Sequence, residues 1–138
     1  ALKIAKYNAE KFHVHQRIDF LECDILPQHI DPLPTESHFD LICANLPYIP
    51  TATMKLLPIY GREPTLALDG GADGLDLYRR LLDTAPAWLA PNGIILLEIE
   101  ATQGIRALNL AYDTFSSASI SLHQDLAGHD RLLEISLH

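Results

Sequence analysis

The sequence predicts an α/β fold: a mostly parallel sheet that ends in an antiparallel hairpin. Three observations carry this. Residues 39–44 (Phe-Asp-Leu-Ile-Cys-Ala) and 94–99 (Ile-Ile-Leu-Leu-Glu-Ile) are short, nearly continuous apolar runs, the pattern of strands buried on both faces of a parallel sheet. Stretches with helical apolar spacing precede and separate these runs. The last two strand-like segments, 118–124 and 131–137, are joined by Asp-Leu-Ala-Gly-His-Asp, a loop too short for anything but antiparallel neighbours. With 138 residues, 48% of them hydrophobic, the chain can bury one real core.

Taken in order, residues 1–12 place Leu2, Ala5, Ala9 and Phe12 on one helical face, with Lys3, Lys6 and Glu10 off it. Residues 17–23 set Ile18 and Phe20 against Asp19, which predicts a strand. Asp24 and Ile25 follow at its carboxyl end, where Asp24 reads equally well as a strand-end turn residue. Residues 28–38, with Pro32 and Pro34, predict a loop. The run at 39–44 is the central strand. It ends in Asn45-Leu46-Pro47-Tyr48, where Pro47 lacks an amide hydrogen and biases Leu46 toward an extended conformation. A stiff loop thus leaves the carboxyl end of a central strand, where open α/β sheets bind ligands.

Asn45 and Tyr48 suit the methylation of a planar nitrogen. An amide or aromatic amine is a poor nucleophile because its lone pair is delocalised. Acceptors such as the Asn45 side-chain oxygen and the Leu46 carbonyl would draw that lone pair out of conjugation and support the growing positive charge. Tyr48 would supply an aromatic face. The same four residues also make an ordinary polar turn.

Downstream, Pro50 and Pro58 limit any helix in 49–60 to a turn or two. Residues 69–74 (Asp-Gly-Gly-Ala-Asp-Gly) read either as a flexible linker or as an ordered loop. Asp73 or Asp76 can cap a helix whose apolar face holds Leu77, Leu81, Leu82, Ala85, Trp88 and Leu89, with a kink expected at Pro86 and Trp88 expected in the core. Gly93 opens the second apolar strand. Glu98, Glu100 and Gln103 lie at its end, and Glu98 is read as a structural hydrogen-bonding residue rather than an acid–base catalyst. Residues 101–112 predict a helix.

Asn45-Leu-Pro-Tyr48 resembles the Asn-Pro-Pro-Tyr motif of methyltransferases acting on planar nitrogens. Residues 63–79 (Glu-Pro-Thr-Leu-Ala-Leu-Asp-Gly-Gly-Ala-Asp-Gly-Leu-Asp-Leu-Tyr-Arg) resemble the signature of the HemK-type N(5)-glutamine methyltransferases. Residues 89–100, Gln103 and 125–131 resemble later segments of that family in the same order. The resemblance covers essentially the whole chain. It implies a single partial domain, residues 1–138: the C-terminal portion of a Rossmann-like class I methyltransferase that uses S-adenosyl-L-methionine. The substrate it implies is the glutamine of the Gly-Gly-Gln motif of a peptide chain release factor. Asn45, Leu46, Pro47 and Tyr48 would bind the amide, and Asp24, Ile25 and Asn45 would flank the cofactor. The glycine-rich stretch would line the site, with Glu63 as an interior polar anchor. Leu46 stands where the motif usually has Pro, a tolerable change because only its carbonyl is asked to act.

A ribosomal-protein glutamine methyltransferase is a near alternative. An N6-adenine DNA methyltransferase shares the Asn-x-Pro-Tyr chemistry. However, 10 Lys and Arg against 18 Asp and Glu, a net charge of −8, suit nucleic acid poorly. The family's glycine-rich cofactor loop, ribose-binding acid and N-terminal helical domain would precede Ala1, so the expectation for the chain by itself is weak cofactor binding and no activity. An exposed strand edge would favour self-association. Two cysteines without metal-type spacing suggest reduced thiols and a cytoplasmic setting. No run is long and apolar enough to span a membrane, and the scattered His residues give no metal site.

Overall fold

The computed structural model describes residues 1–27 and 38–138; the loop expected at 28–38 lies, except for His38, outside them. The chain forms two compact units, Ala1–Asp31 and Pro32–His138.

In the first unit, α1 (Leu2–Lys11) buries Ala9. It stops in a Schellman arrangement. His13 adopts φ 57°, its N–H donates to the Glu10 carbonyl (3.0 Å), and the Val14 N–H donates to the Ala9 carbonyl (2.9 Å). A 3₁₀ turn follows at His15–Arg17. The strand expected at 17–23 does not form. Ile18 is extended (φ −130°, ψ 123°), but 18–23 carry no ladder pairing among the described residues, and Ile18 and Leu21 are exposed. Alternation permits a strand; only hydrogen bonds to a neighbour make one.

The second unit holds a four-stranded sheet in the order β1-β2-β4-β3, with β1 (Phe39–Ala44), β2 (Leu89–Glu98), β3 (Ser119–Gln124) and β4 (Asp130–Ser136). β1 and β2 run parallel, with Ile42 opposite Ile95 and Ala44 opposite Leu97. β4 pairs antiparallel with both β2 and β3, which closes the sheet in the expected hairpin. One face of the sheet aligns Ile42, Ile95, Leu97, Leu133, Ile135 and Ile120, all buried. α3 (Asp76–Thr84) and α4 (Gly104–Thr114) add Tyr78, Leu81, Leu82, Ala107 and Ala111 to the same unit's core, with α4 packed against α3, β3 and β4.

β1 departs from the doubly buried, central strand that its composition suggested. It is an edge strand in this sheet, and Leu41 is 51% exposed, with Phe39 and Cys43 also exposed. An apolar run supplies the surface for burial on both faces, but burial needs a layer on each. At its start, the Phe39 ring stacks on Trp88 (centroids 5.9 Å apart), and Trp88 is in the core as expected. Pro86 ends α3 rather than kinking it. Without an N–H to donate it cannot continue the α ladder, and the chain passes into a 3₁₀ turn at Ala85–Ala87. Among the described residues, no helix is long and apolar enough to cross a membrane.

Candidate active site

β1 ends at Ala44, and the next four residues form the loop anticipated at its carboxyl end. Asn45 is exposed, while Leu46, Pro47 and Tyr48 are half-buried. All four border one cavity of about 180 Å³, together with Ile49, Ala67 and Leu68. Among the described residues, neither the Asn45 side chain nor the Leu46 carbonyl has an internal hydrogen-bond partner. Both residues line the cavity, and each has an acceptor with capacity to spare. The structure brings together all four residues that the loop reading singled out.

The loop is held by the glycine-rich segment, which is ordered. Ile49 N–H donates to the Leu68 carbonyl (3.1 Å), Gly70 N–H to the Ile49 carbonyl (2.9 Å) and Thr51 N–H to the Gly71 carbonyl (2.9 Å). Thr51 Oγ1 donates to Asp69 Oδ1 (2.7 Å), which also accepts from Gly71 N–H (3.0 Å). These bonds, Thr51's first, hold the Asp69 carboxyl below its ordinary pKa. Gly74 (φ +81°) lies so close that a Cβ there would collide with the Tyr48 carbonyl oxygen and with Gln103 Nε2. Only glycine fits that approach.

Asp73 anchors the start of α3. It accepts from Leu75 N–H (3.1 Å) and pairs bidentately with Arg79 (2.7 and 3.0 Å), with Arg106 at 3.7 Å. The Arg79 hydrogen bond dominates in lowering its pKa to about 2. Asp76 occupies the first turn of α3 instead of capping it. Tyr78, buried beside Tyr48, donates its hydroxyl to the Glu98 carbonyl. Burial first, then Tyr48 and Glu98, push its pKa upward, so it stays a donor. Glu98 thus contributes through its backbone.

Glu63 is corrected. It is exposed, in the turn-rich stretch after α2 (Thr51–Met54), and does not anchor an interior. An ionised carboxylate is costly to bury without a cationic partner, and no ion pair to Glu63 occurs among the described residues. Asp24 and Ile25 belong to the first unit. Asp24 is exposed, and Ile25 adopts φ 68°, a turn conformation rare for a β-branched residue.

Sequence reasoning assigned no role to Gln103, yet its side chain is 2% exposed and its Nε2 donates to the Tyr48 carbonyl at 2.9 Å. The available signal was local. Glu100 and Gln103 form a capping box around the 3₁₀ turn Ala101–Gln103 that leads into α4.

No family model matches. The release factor glutamine methyltransferase of Thermosynechococcus vestitus is 38% identical over 136 residues, covering 96% of this chain and 45% of that protein. The chain belongs to the protein-glutamine methyltransferase family. The release factor enzyme of Moorella thermoacetica is 42% identical over 132 residues (95% of this chain, 45% of that protein). The ribosomal protein uL3 glutamine methyltransferase of Burkholderia pseudomallei is 40% identical over 105 residues (72% and 33%). A solved structure of a release factor-specific protein-(glutamine-N5) methyltransferase from Alicyclobacillus acidocaldarius overlaps 48% of this chain and 42% of that chain, at 26% identity and a TM-score of 0.42. The chain spans about half the length of the release factor methyltransferases it matches.

Proposed function

We propose that the protein containing this chain transfers a methyl group to the side-chain amide of a protein glutamine, with a peptide chain release factor as substrate. The observation that carries the reading is the pair of unpartnered acceptors, Asn45 Oδ1 and the Leu46 carbonyl, on one cavity at the end of a parallel strand. The two amide hydrogens of a glutamine match two acceptors. Bonded to both, the nitrogen is held in place and gains electron density as positive charge develops on it. The Tyr48 ring supplies a flat, electron-rich wall. Pro47 limits the loop's freedom, so the acceptors need little reorganisation on binding. The proton lost after transfer leaves to water, and no general base is required.

S-adenosyl-L-methionine would supply an electrophilic methyl group on a sulfonium. In the second unit, Asn45 at the end of β1 is proposed to flank it; in the first unit, Asp24 and Ile25 are the residues that the family resemblance proposes for its adenine. The free thiols at Cys23 and Cys43 support a cytoplasmic setting.

The test is labelled-methyl transfer by the full-length natural protein, offered release factor, a ribosomal-protein mixture and unmethylated DNA side by side. Label is expected on a release-factor glutamine. Asn45→Ala is expected to lower kcat about 100-fold or more while leaving the circular dichroism spectrum unchanged. Full activity in that variant sinks the amide-binding assignment. Label on ribosomal protein uL3 instead would favour the second reading, which rests on the relative with that name.

A further inference from the structure

Gln103 is the one polar side chain among the described residues that is buried. A carboxamide loses hydration on burial and must recover it through hydrogen bonds. Gln103 does so asymmetrically. Its Nε2 donates to the Tyr48 carbonyl at 2.9 Å and, more weakly, to the Asp73 carbonyl at 3.4 Å, while its Oε1 accepts from Glu100 N–H at 3.4 Å. The tightest of these bonds therefore runs to the candidate loop and not to the local cap.

The consequence falls on one peptide plane. The Tyr48–Ile49 peptide has its carbonyl held by Gln103 and its N–H held by the Leu68 carbonyl at 3.1 Å. Upstream, the β1 ladder fixes Ala44 opposite Leu97, and the Pro47 ring fixes that residue's φ. Few backbone rotations remain free between the pinned plane and the Leu46 carbonyl. Gly74 packs against the same carbonyl as Gln103, so the contact has no slack. We propose that Gln103 is a positioning residue, which aims the Leu46 carbonyl at the substrate nitrogen by clamping the Tyr48 carbonyl from behind. This rests on the glutamine-methylation reading and deepens it. Gln103 need not touch substrate or cofactor to act.

Gln103→Glu separates this role from local capping. It keeps the acceptor facing Glu100 N–H but turns an acceptor toward the carbonyls of Tyr48 and Asp73. The charged neighbours are Glu100 on the same turn, Arg106 on α4 and Asp73 on the glycine-rich loop, with the phenol of Tyr48 across the contact. The protonated form of the new side chain could donate again, so the defect should ease as pH falls.

The experiment uses the full-length protein, release factor and labelled S-adenosyl-L-methionine, with kcat and KM measured from pH 6 to 8. At pH 8, Q103E is expected to lose about 10-fold or more in kcat. Its KM for the methyl donor should stay within about twofold of wild type, and its kcat relative to wild type should rise toward pH 6. Amide hydrogen exchange at Ile49 should accelerate, with exchange at Ile95 and Leu97 unchanged. Wild-type kcat at every pH overturns the proposal, as does a loss shared by methyl-donor KM and the exchange of the β2 amides. If wild type itself methylates no glutamine, the functional reading fails instead. Unchanged exchange at Ile49 would then remove the clamp as well.

Discussion

Asp73 shows how much one side chain can organise. It joins the turn before α3 to Arg79 and Arg106, which lie on different helices, through bonds of 2.7, 3.0 and 3.7 Å. Its folded pKa of about 2 lies below the ordinary aspartate value of 3.8. The carboxylate therefore stabilises the fold fully above pH 3.8, and that stability is lost as pH falls from there through about 2. The side chain is 32% exposed, so screening holds the contribution to about 1 kcal/mol. Asp73→Asn is expected to be less stable than wild type by about that amount at pH 7. The gap should close as the pH is lowered toward 2. Urea unfolding followed by circular dichroism at several pH values checks this, and a constant gap down to pH 2 would assign the effect to packing. Asp69 and Asp125, both with lowered pKa, act in the same direction in both proteins and cancel in the comparison. Residue roles were partly legible where the partner was close in sequence: the pattern offered Asp73 or Asp76 as the cap of α3, and the N-cap is Leu75, whose N–H donates to Asp73. The role of Gln103 was not legible, because its partner Tyr48 lies 55 residues away and burial of a polar group leaves no mark in local pattern.

At the scale of elements, the legible parts were those that local rules determine. The hairpin β3–β4 follows from a loop too short to cross the sheet, and the end of α3 follows from Pro86. What escaped depended on neighbours that sequence does not name. Residues 18–23 alternate as a strand should but have no ladder, and β1 has the composition of a central strand but lies at an edge. The glycine-rich loop was open to two readings, linker or ordered wall, and packing decides for the second. At Gly74, φ is +81°, and a methyl group would meet both the Tyr48 carbonyl and Gln103. Gly74→Ala is therefore expected to destabilise the protein by about 2 kcal/mol. That should lower Tm by roughly 5–10 °C in a calorimetric scan. An unchanged Tm would mean that this loop's close approach to the Asn45–Tyr48 segment contributes nothing to the fold.

For the molecule as a whole, charge decides between chemistries that the site alone leaves close together. An acceptor pair beside an aromatic ring would suit the exocyclic amine of an adenine as well as a glutamine amide, since both are planar nitrogens. A duplex, however, presents a dense row of phosphates that a protein must neutralise with Lys and Arg, and each contact made is paid for by released counterions. This chain has 10 such residues against 18 acidic ones. Several of the cations are already committed, Arg79 to Asp73 and Asp76, Arg106 to Asp73 and Arg131 to Asp125. Of the other cations, Lys3, Lys6 and Lys11 lie on α1, a small group against the row of phosphates that a duplex presents and in a chain of net charge −8. The chain should leave the fluorescence anisotropy of a labelled DNA duplex unchanged up to about 100 μM protein at about 0.15 M salt, the weak end of the usual range of non-specific DNA affinity. Saturable binding with a steep salt dependence would reopen adenine methylation as the reaction.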